Sequence, residues 1–391
     1  MRHAGASVVT ADKTRRLGII VSGATGGLVA AQHLPALLAL RKEGVPLADG
    51  TRVLPDLLLV GRDAGRLTRV AEAATLDRWS TDLDTALSSA GHPVFFDAAV
   101  TGGRYERISR AIAAGKHVYS EKPLAGTLDQ ALALVRAADG AGIRHGVVQD
   151  KIFLPGFRKL KQLREQGVFG RILEVRLEFS RFVFDGETRA AQRPSWNYRK
   201  RDGGGLILDM FPHWQYLVAQ IVGEIRAVSA VKRTQITNRR DEEDRPYDVD
   251  VEDAVFAQME LDGGIIASVN SSWCSRIRRD DVIVIQVDGT QASAVAGTHE
   301  CFLQTDAMTP AAFAPMTKPQ PYSFFDQWQR LPDNGPRPNS YRIGWEMFIR
   351  HVMEGAPFPS PFIEGAKAVQ LVEASHRSDR ERRWVELPPL V

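Results

Sequence analysis

The chain has 391 residues, 44% hydrophobic and 25% charged, an ordinary globular composition and long enough to bury a large core. Fifty basic residues against 47 acidic ones leave a formal net charge of +3, which gives no support for nucleic-acid or membrane-surface binding. Cys274 and Cys301 stand far apart and outside any Cys-x-x-Cys spacing; this argues against a disulfide framework or a metal centre and fits a reduced, cytoplasmic protein.

Residues 1–16 are polar and mixed, lack the apolar stretch of a secretory signal, and read as a flexible tail. No run reaches the ~18 apolar residues of a membrane span. Residues 17–22 form an apolar run that reads as a buried parallel strand. The glycine-rich stretch Gly23-Ala24-Thr25-Gly26-Gly27 follows, then residues 28–42 of helical composition with Pro35 at a kink or break. Residues 44–55 read as a loop insertion. Strands are expected at 56–60, 93–98, 117–119 and 145–149, with helices at 64–74, 104–114 and 128–141 between them. Such alternation predicts a Rossmann-type, doubly wound parallel sheet over residues 17–150.

The pattern then changes. A helix at 157–166 precedes strand candidates at 172–184, 225–237, 254–261, 265–272 and 282–287, with Asp262-Gly263-Gly264 as a hairpin turn. Residues 305–338, rich in Pro and polar groups, read as a surface excursion. Helices at 345–353 and 365–375 and a short strand at 384–387 complete the chain. The fold class is therefore α/β, with a second α+β domain over 151–391 built on a large, mostly antiparallel open sheet.

The turn at Gly23, Ala24, Thr25, Gly26 and Gly27 links a strand to a helix. In that context glycines let the backbone approach a pyrophosphate, and the helix N-terminus offers N–H groups to it. The alternative is a tight β–α turn with no ligand. The second strand ends in Gly61-Arg62-Asp63, where a dinucleotide fold using NAD often has an acid for the ribose. Arg62 favours the 2′-phosphate of NADP, and Asp63 keeps NAD open. Glu121 and Lys122 follow another strand at the sheet edge where such folds bind ligands. A lysine there, close to a nicotinamide, can polarise a substrate oxygen.

Asp209 and His213, at i and i+4, share one helix face. Pro212 is best tolerated in a first turn, so that helix is expected to start near Asp209, which would otherwise serve as its cap. A histidine titrates near neutrality and can take a hydroxyl proton. Trp196, Asn197, Tyr198 and Arg199 precede the glycine run, and their aromatic faces and polar groups suit a polyhydroxylated ring, or else anchor a loop. Trp214 and Tyr216 read as core. Arg276, Arg278 and Arg279, followed by Asp280 and Asp281, read as a solvated strand end, and residues 241–245 as an exposed charged loop.

Several stretches resemble the glucose–fructose oxidoreductase / inositol dehydrogenase (Gfo/Idh/MocA) family. They are Ala114-Gly115-Lys116-His117-Val118 leading to Glu121-Lys122-Pro123, and Gly203-Gly204-Gly205-Leu206-Ile207-Leu208-Asp209 with His213. Residues 167–172, Glu252-Asp253-Ala254 and 364–368 are also similar, so the likeness runs from about residue 17 to 388. The resemblance implies NAD(P)-linked hydride transfer at a secondary alcohol or ketone of a sugar, glycoside or cyclitol. It also implies Lys122, Asp209 and His213 as the catalytic group, and a homodimer or homotetramer through the C-terminal sheet. Departures are Phe211 and Pro212 in the Asp-x-Gly-x-His stretch, and Thr101-Gly102-Gly103 for a Thr-Pro stretch, which leaves Thr101 near the cofactor. Ile152 stands for a typical basic residue, with Lys151 beside it as the substrate-facing candidate. Kept open beside this are a reductase of a non-sugar carbonyl or C=C bond, a sugar lyase passing through a transient ketone, and a nicotinamide-binding sensor without catalysis.

Overall fold

The computed structural model describes residues 13–181, 194–276, 281–309, 327–332 and 339–390. Most of the expected tail, the end of the 172–184 strand, Arg278, Arg279, Asp280 and most of the 305–338 excursion lie outside the described residues.

The first half alternates strand and helix: β1 (Thr14–Ser22), α1 (Leu34–Glu43), β2 (Val45–Pro46), β3 (Arg52–Val60), α2 (Ala64–Ala73), β4 (Trp79–Ser80), α3 (Leu83–Leu87), β5 (Val94–Asp97), α4 (Arg104–Ala113), β6 (His117–Ser120), α5 (Leu128–Gly140) and β7 (His145–Val147). Their sheet runs β2-β3-β1-β5-β6-β7, with β4 on β3. All neighbours are parallel except the β2–β3 pair. The residues expected as a loop insertion therefore form an antiparallel edge strand and the start of β3, because Val45 and Val53 pair and are both fully buried. Strand order reverses at β1, between β3 and β5, which opens a crevice at the strands' C-terminal ends. Pro35 sits in α1 directly after a π-helical turn at Val29–His33, so the helix carries its irregularity next to the proline, as the sequence suggested.

The second half contains α6 (Pro155–Glu165), β8 (Ile172–Ser180), α7 (Leu206–Ile221), β9 (Ile225–Arg233), β10 (Asn238–Arg240), β11 (Pro246–Asp248), β12 (Ala254–Leu261), β13 (Ile266–Ser272), β14 (Ile283–Gly289), β15 (Ala292–Ala296), β16 (Cys301–Thr305), β17 (Gln329–Arg330), α8 (Ser340–Glu354), α9 (Phe362–Glu381) and β18 (Val385–Glu386). Nine strands form one sheet, β17-β16-β15-β14-β8-β13-β12-β9-β18, antiparallel but for the β8–β13 pair. Three of these strands, β15, β16 and β17, went unnoticed in the sequence: Ala292–Ala296 is small and weakly apolar, and the two residues of β17 fall within the stretch read as a surface excursion. On β12, Val255, Ala257, Met259 and Leu261 point into a core shared with α6, α7 and α9, while Phe256, Gln258 and Glu260 face outward. Period-two burial of this kind is what a sheet covered on one face requires.

Helices α8 and α9 return to the first sheet. Trp345, Phe348 and Ile349 share a core with Ile19, Val21 and Phe96, and Phe362, Ala366 and Val369 share one with Phe95, Val118 and Leu134. Burying each large side chain contributes about 1.5–3 kcal/mol, so these contacts fix one half of the chain against the other.

Candidate active site

The glycine turn lies at the crevice. Gly23 has φ +78°, and a Cβ there would stand 2.6 Å from the Ala99 nitrogen, so only glycine fits beside the β5 loop. The Gly23 and Ala24 amides both donate to the Val60 carbonyl, which fastens the turn to the end of β3. Gly27 is exposed with open space where a side chain would be, which leaves room for a phosphate to approach the backbone. Beyond β3, Arg62 is exposed and Asp63 is spent as the cap of α2, accepting from the Arg66 amide. Arg66 itself reaches the Thr25 carbonyl at 3.3 Å, a second cation at this turn that the sequence did not single out. Thr101 lies in a loop stapled to β5: Asp97 is fully buried and binds Arg104 and Arg107, whose other N–H groups reach the carbonyls of Ala99, Val100 and Gly102.

Glu121 is buried and its carboxylate is occupied internally. One oxygen binds His33 Nε2 at 2.8 Å and the other accepts the Lys122 amide at 3.0 Å. The indole Nε1 of Trp345, a donor only, reaches His33 Nδ1 at 3.1 Å. The His33 proton therefore sits on Nε2 and is donated to Glu121. Arg104 adds a third strut by donating to the Pro123 carbonyl at 2.6 Å. The backbone of Lys122 is held from three sides.

Lys122 Nζ donates to both the carbonyl and the Oδ1 of Asp209, each at 2.7 Å. Asp209 lies in the first turn of α7, where a carboxylate is favoured by the helix dipole, and it is not the cap. The cap position is Gly205, with φ +118° and a virtual Cβ only 2.9 Å from Glu252 Oε1. Glu252 does the capping from outside: its carbonyl accepts the Leu206 amide and its carboxylate the Ile207 amide. The helix thus starts three residues earlier than the position of Pro212 suggested. Twelve of its sixteen residues are buried, and the core contacts of Leu206 and Ile207 alone offset a proline penalty of about 3 kcal/mol.

His213, with a side chain 6% exposed, meets the Tyr216 hydroxyl at 2.9 Å through Nδ1. Tyr216 is buried, as the sequence suggested, yet its hydroxyl also contacts Asp150 Oδ1 at 3.3 Å and the Lys151 amide at 3.1 Å. Lys151 Nζ is 3.4 Å from the other oxygen of Asp150. Lys122, Gln149, Pro212 and Tyr216 together line a narrow cavity of about 10 Å³. A much larger cleft of about 740 Å³ lies behind the loop of Gly203 and Gly204, along α9. None of Lys122, Asp209 and His213 lines it, and its lining balances Lys200, Lys232, Arg377 and Arg380 against four carboxylates. Size alone does not make it the reactive site.

The loop of expected substrate residues divides. Trp196 is 43% exposed. Asn197 and Tyr198 are buried: Asn197 bonds the Pro194 carbonyl, and the Tyr198 ring lies 4.1 Å beneath the Arg239 guanidinium. Arg199 stacks on Tyr247 at 4.5 Å. Asn197, Tyr198 and Arg199 are thus held by contacts within their own loop and with residues 239 and 247. Asp241, expected in an exposed loop, is buried and receives the Glu243 and Arg245 amides and the Arg245 side chain.

A profile of the GFO/IDH/MocA C-terminal domain matches residues 157–295. A D-xylose dehydrogenase of Paenarthrobacter nicotinovorans is 41% identical over 97% of this chain and 99% of its own length. The chain belongs to the Gfo/Idh/MocA family. A scyllo-inositol 2-dehydrogenase (NADP(+)) of Bacillus subtilis is 25% identical over 73% of this chain and 76% of its own. A levoglucosan dehydrogenase solved with NADH and levoglucosan superposes with a TM-score of 0.80, covering 96% of this chain and 100% of that one at 23% identity. Membership agrees with the fold, a parallel sheet followed by a large antiparallel one. Among the described residues no helix is long and apolar enough to cross a membrane.

Proposed function

We propose that this protein is a nicotinamide-dependent sugar dehydrogenase, that it oxidises a CH–OH group of an aldopentose such as D-xylose, and that Lys122, Asp209 and His213 carry the chemistry. The observation that supports this most is the Lys122–Asp209 pair at 2.7 Å, set at the strand ends, with His213 one turn further on the same face of α7. When bound, the nicotinamide supplies the hydride acceptor. An ammonium has three N–H bonds. Asp209 takes two of those on Lys122, and the third stabilises negative charge growing on the substrate oxygen. His213 removes the hydroxyl proton, and in the reverse direction returns it. Trp196 offers an exposed ring for the sugar face, and Lys151 a second cation beside Tyr216.

In this reading residues 17–150 hold the dinucleotide and residues 151–391 the substrate. The turn Gly23–Gly27 takes the pyrophosphate. Arg62, with Arg66 beside Thr25, favours NADP over NAD. Replacing Arg62 by Ala is expected to weaken NADP binding about tenfold while leaving NAD nearly unchanged, read by titrating each reduced cofactor; equal losses for both would remove the NADP preference. The outward face of the second sheet, with Phe256 and Ile266 at 47% and 38% exposure, is proposed as the contact of a homodimer or homotetramer. Sedimentation that finds only monomer at working concentration overturns that contact. Both cysteines are free thiols whose burial pushes their pKa up to about 12, which suits the cytoplasm.

Anaerobic incubation with D-xylose, other aldoses and cyclitols, with NAD or NADP, followed by reduced-nicotinamide absorbance, tests the function. Turnover of D-xylose above the cyclitols is expected. Tight cofactor binding with no turnover of any alcohol would reject it in favour of a sensor.

A further inference from the structure

We propose that Asp150, acting through the Tyr216 hydroxyl, fixes the tautomer of His213 and raises its basicity, which makes Asp150 and Tyr216 positioning residues of the reaction. The kinetic part rests on the acid/base role proposed above for His213. The assignment follows from counting donors and acceptors. A tyrosine hydroxyl has one proton and two lone pairs. The Lys151 amide can only donate, so at 3.1 Å it occupies one lone pair of Tyr216. An ionised Asp150 can only accept, so Oδ1 at 3.3 Å takes the hydroxyl proton. One lone pair remains, and it faces His213 Nδ1 at 2.9 Å. That nitrogen must therefore carry a proton, and the neutral imidazole keeps its own lone pair on Nε2.

The opposite arrangement, with the hydroxyl proton turned to His213, would leave two oxygens facing each other without a proton. The Asp150 side chain is only 9% exposed, so water cannot easily relieve that repulsion. The Lys151 ammonium stands 3.4 Å from Asp150 Oδ2 and donates to it. Tyr341 from α8 also lies close enough to feel the Asp150 charge. Burial first, and then the Asp150 charge, push the Tyr216 and Tyr341 phenols well above their ordinary range, so both remain donors at working pH. Among the described residues, the charged and titratable groups of this network are Asp150 and Lys151 from the turn after β7, Tyr216 on the histidine's own helix and Tyr341 on α8 beside Asp150, with Asp209 one turn earlier on α7 and paired with Lys122. Asp150 Oδ1 is 3.8 Å from His213 Nδ1, close enough to favour the protonated ring.

The test uses full-length Asp150→Asn and Tyr216→Phe. Asn still accepts the Tyr216 proton but lacks the charge. With D-xylose and saturating cofactor, kcat/KM should rise with pH as the base loses its proton and then level off. In Asp150→Asn that rise should move toward acid by about one pH unit, and the plateau should fall on the order of tenfold. A lower plateau with the rise unmoved means a merely structural role and overturns the basicity claim. The second arm needs no turnover and no Asp150 variant: nitrogen NMR of the imidazole in the unliganded protein. The neutral His213 ring should be the Nδ1–H form, lost in Tyr216→Phe. An Nε2–H ring in the unsubstituted protein overturns the proposal. If His213→Ala kept full turnover, the acid/base reading would fall, while this spectrum would still decide the tautomer.

Discussion

Replacing His213 by Ala is expected to lower kcat by about 10²–10⁴-fold while leaving nicotinamide affinity unchanged. The size follows from what is removed: a group able to take the hydroxyl proton as hydride departs. Its neighbours stay in place, because Lys122 and Asp209 pair with each other and Tyr216 is still held by the Lys151 amide and Asp150. Steady-state rates with D-xylose read the first half of the claim, and fluorescence titration with reduced cofactor reads the second. The His213 ring is nearly buried against Tyr216 and Trp214, so truncation also opens a cavity. Thermal unfolding of His213→Ala beside His213→Asn separates that cost from the kinetic one. A loss of only a few-fold in kcat, with a folded protein, would assign the proton to another group, and Lys122 is the first alternative.

The parts of this site that were legible in the sequence are those whose chemistry is tied to spacing along the chain. Gly23–Gly27 follows a strand and precedes a helix. Lys122 follows another strand, and Asp209 and His213 are four apart. The parts that were hidden depend on contacts between distant segments. Tyr216 was read as core because a tyrosine one turn past a histidine on an apolar helix usually is. Nothing local showed that Asp150, 66 residues away, would meet its hydroxyl. Glu252 likewise gave no local sign that it would cap α7 from 45 residues further along the chain. The return of α8 to the first sheet was invisible for the same reason, since Trp345 and Phe348 mark an apolar face without naming what covers it. The early start of α7 shows tertiary burial overriding a local rule about proline.

Truncating Arg239 to Ala is expected to destabilise the protein by about 3–5 kcal/mol, because it strands a buried carboxylate. Arg239 and Asp253 pair at 2.9 Å with both side chains fully buried. Asp253 also accepts the amides of Gln235 and Ile236, so it cannot turn toward solvent when its partner goes. Adding Asp253→Asn should recover part of the loss: Asn keeps an oxygen for those amides and carries no charge. Urea midpoints for the two single variants and the double one give the coupling. A cost below about 1 kcal/mol for Arg239→Ala would mean that the pair is effectively solvated. The same substitution bears on substrate. Arg239 sits on β10 over the Tyr198 ring, Arg199 stacks on Tyr247 of β11, and Glu242 in their turn accepts the Ser195 amide. The β10–β11 hairpin thereby clamps the loop that presents Trp196 and leads into α7. Loosening it should raise KM for the sugar more than it lowers kcat, since Glu252 still holds the start of α7 and Lys122 still holds Asp209. A fall confined to kcat would mean that the hairpin acts on the reacting groups instead of the substrate loop.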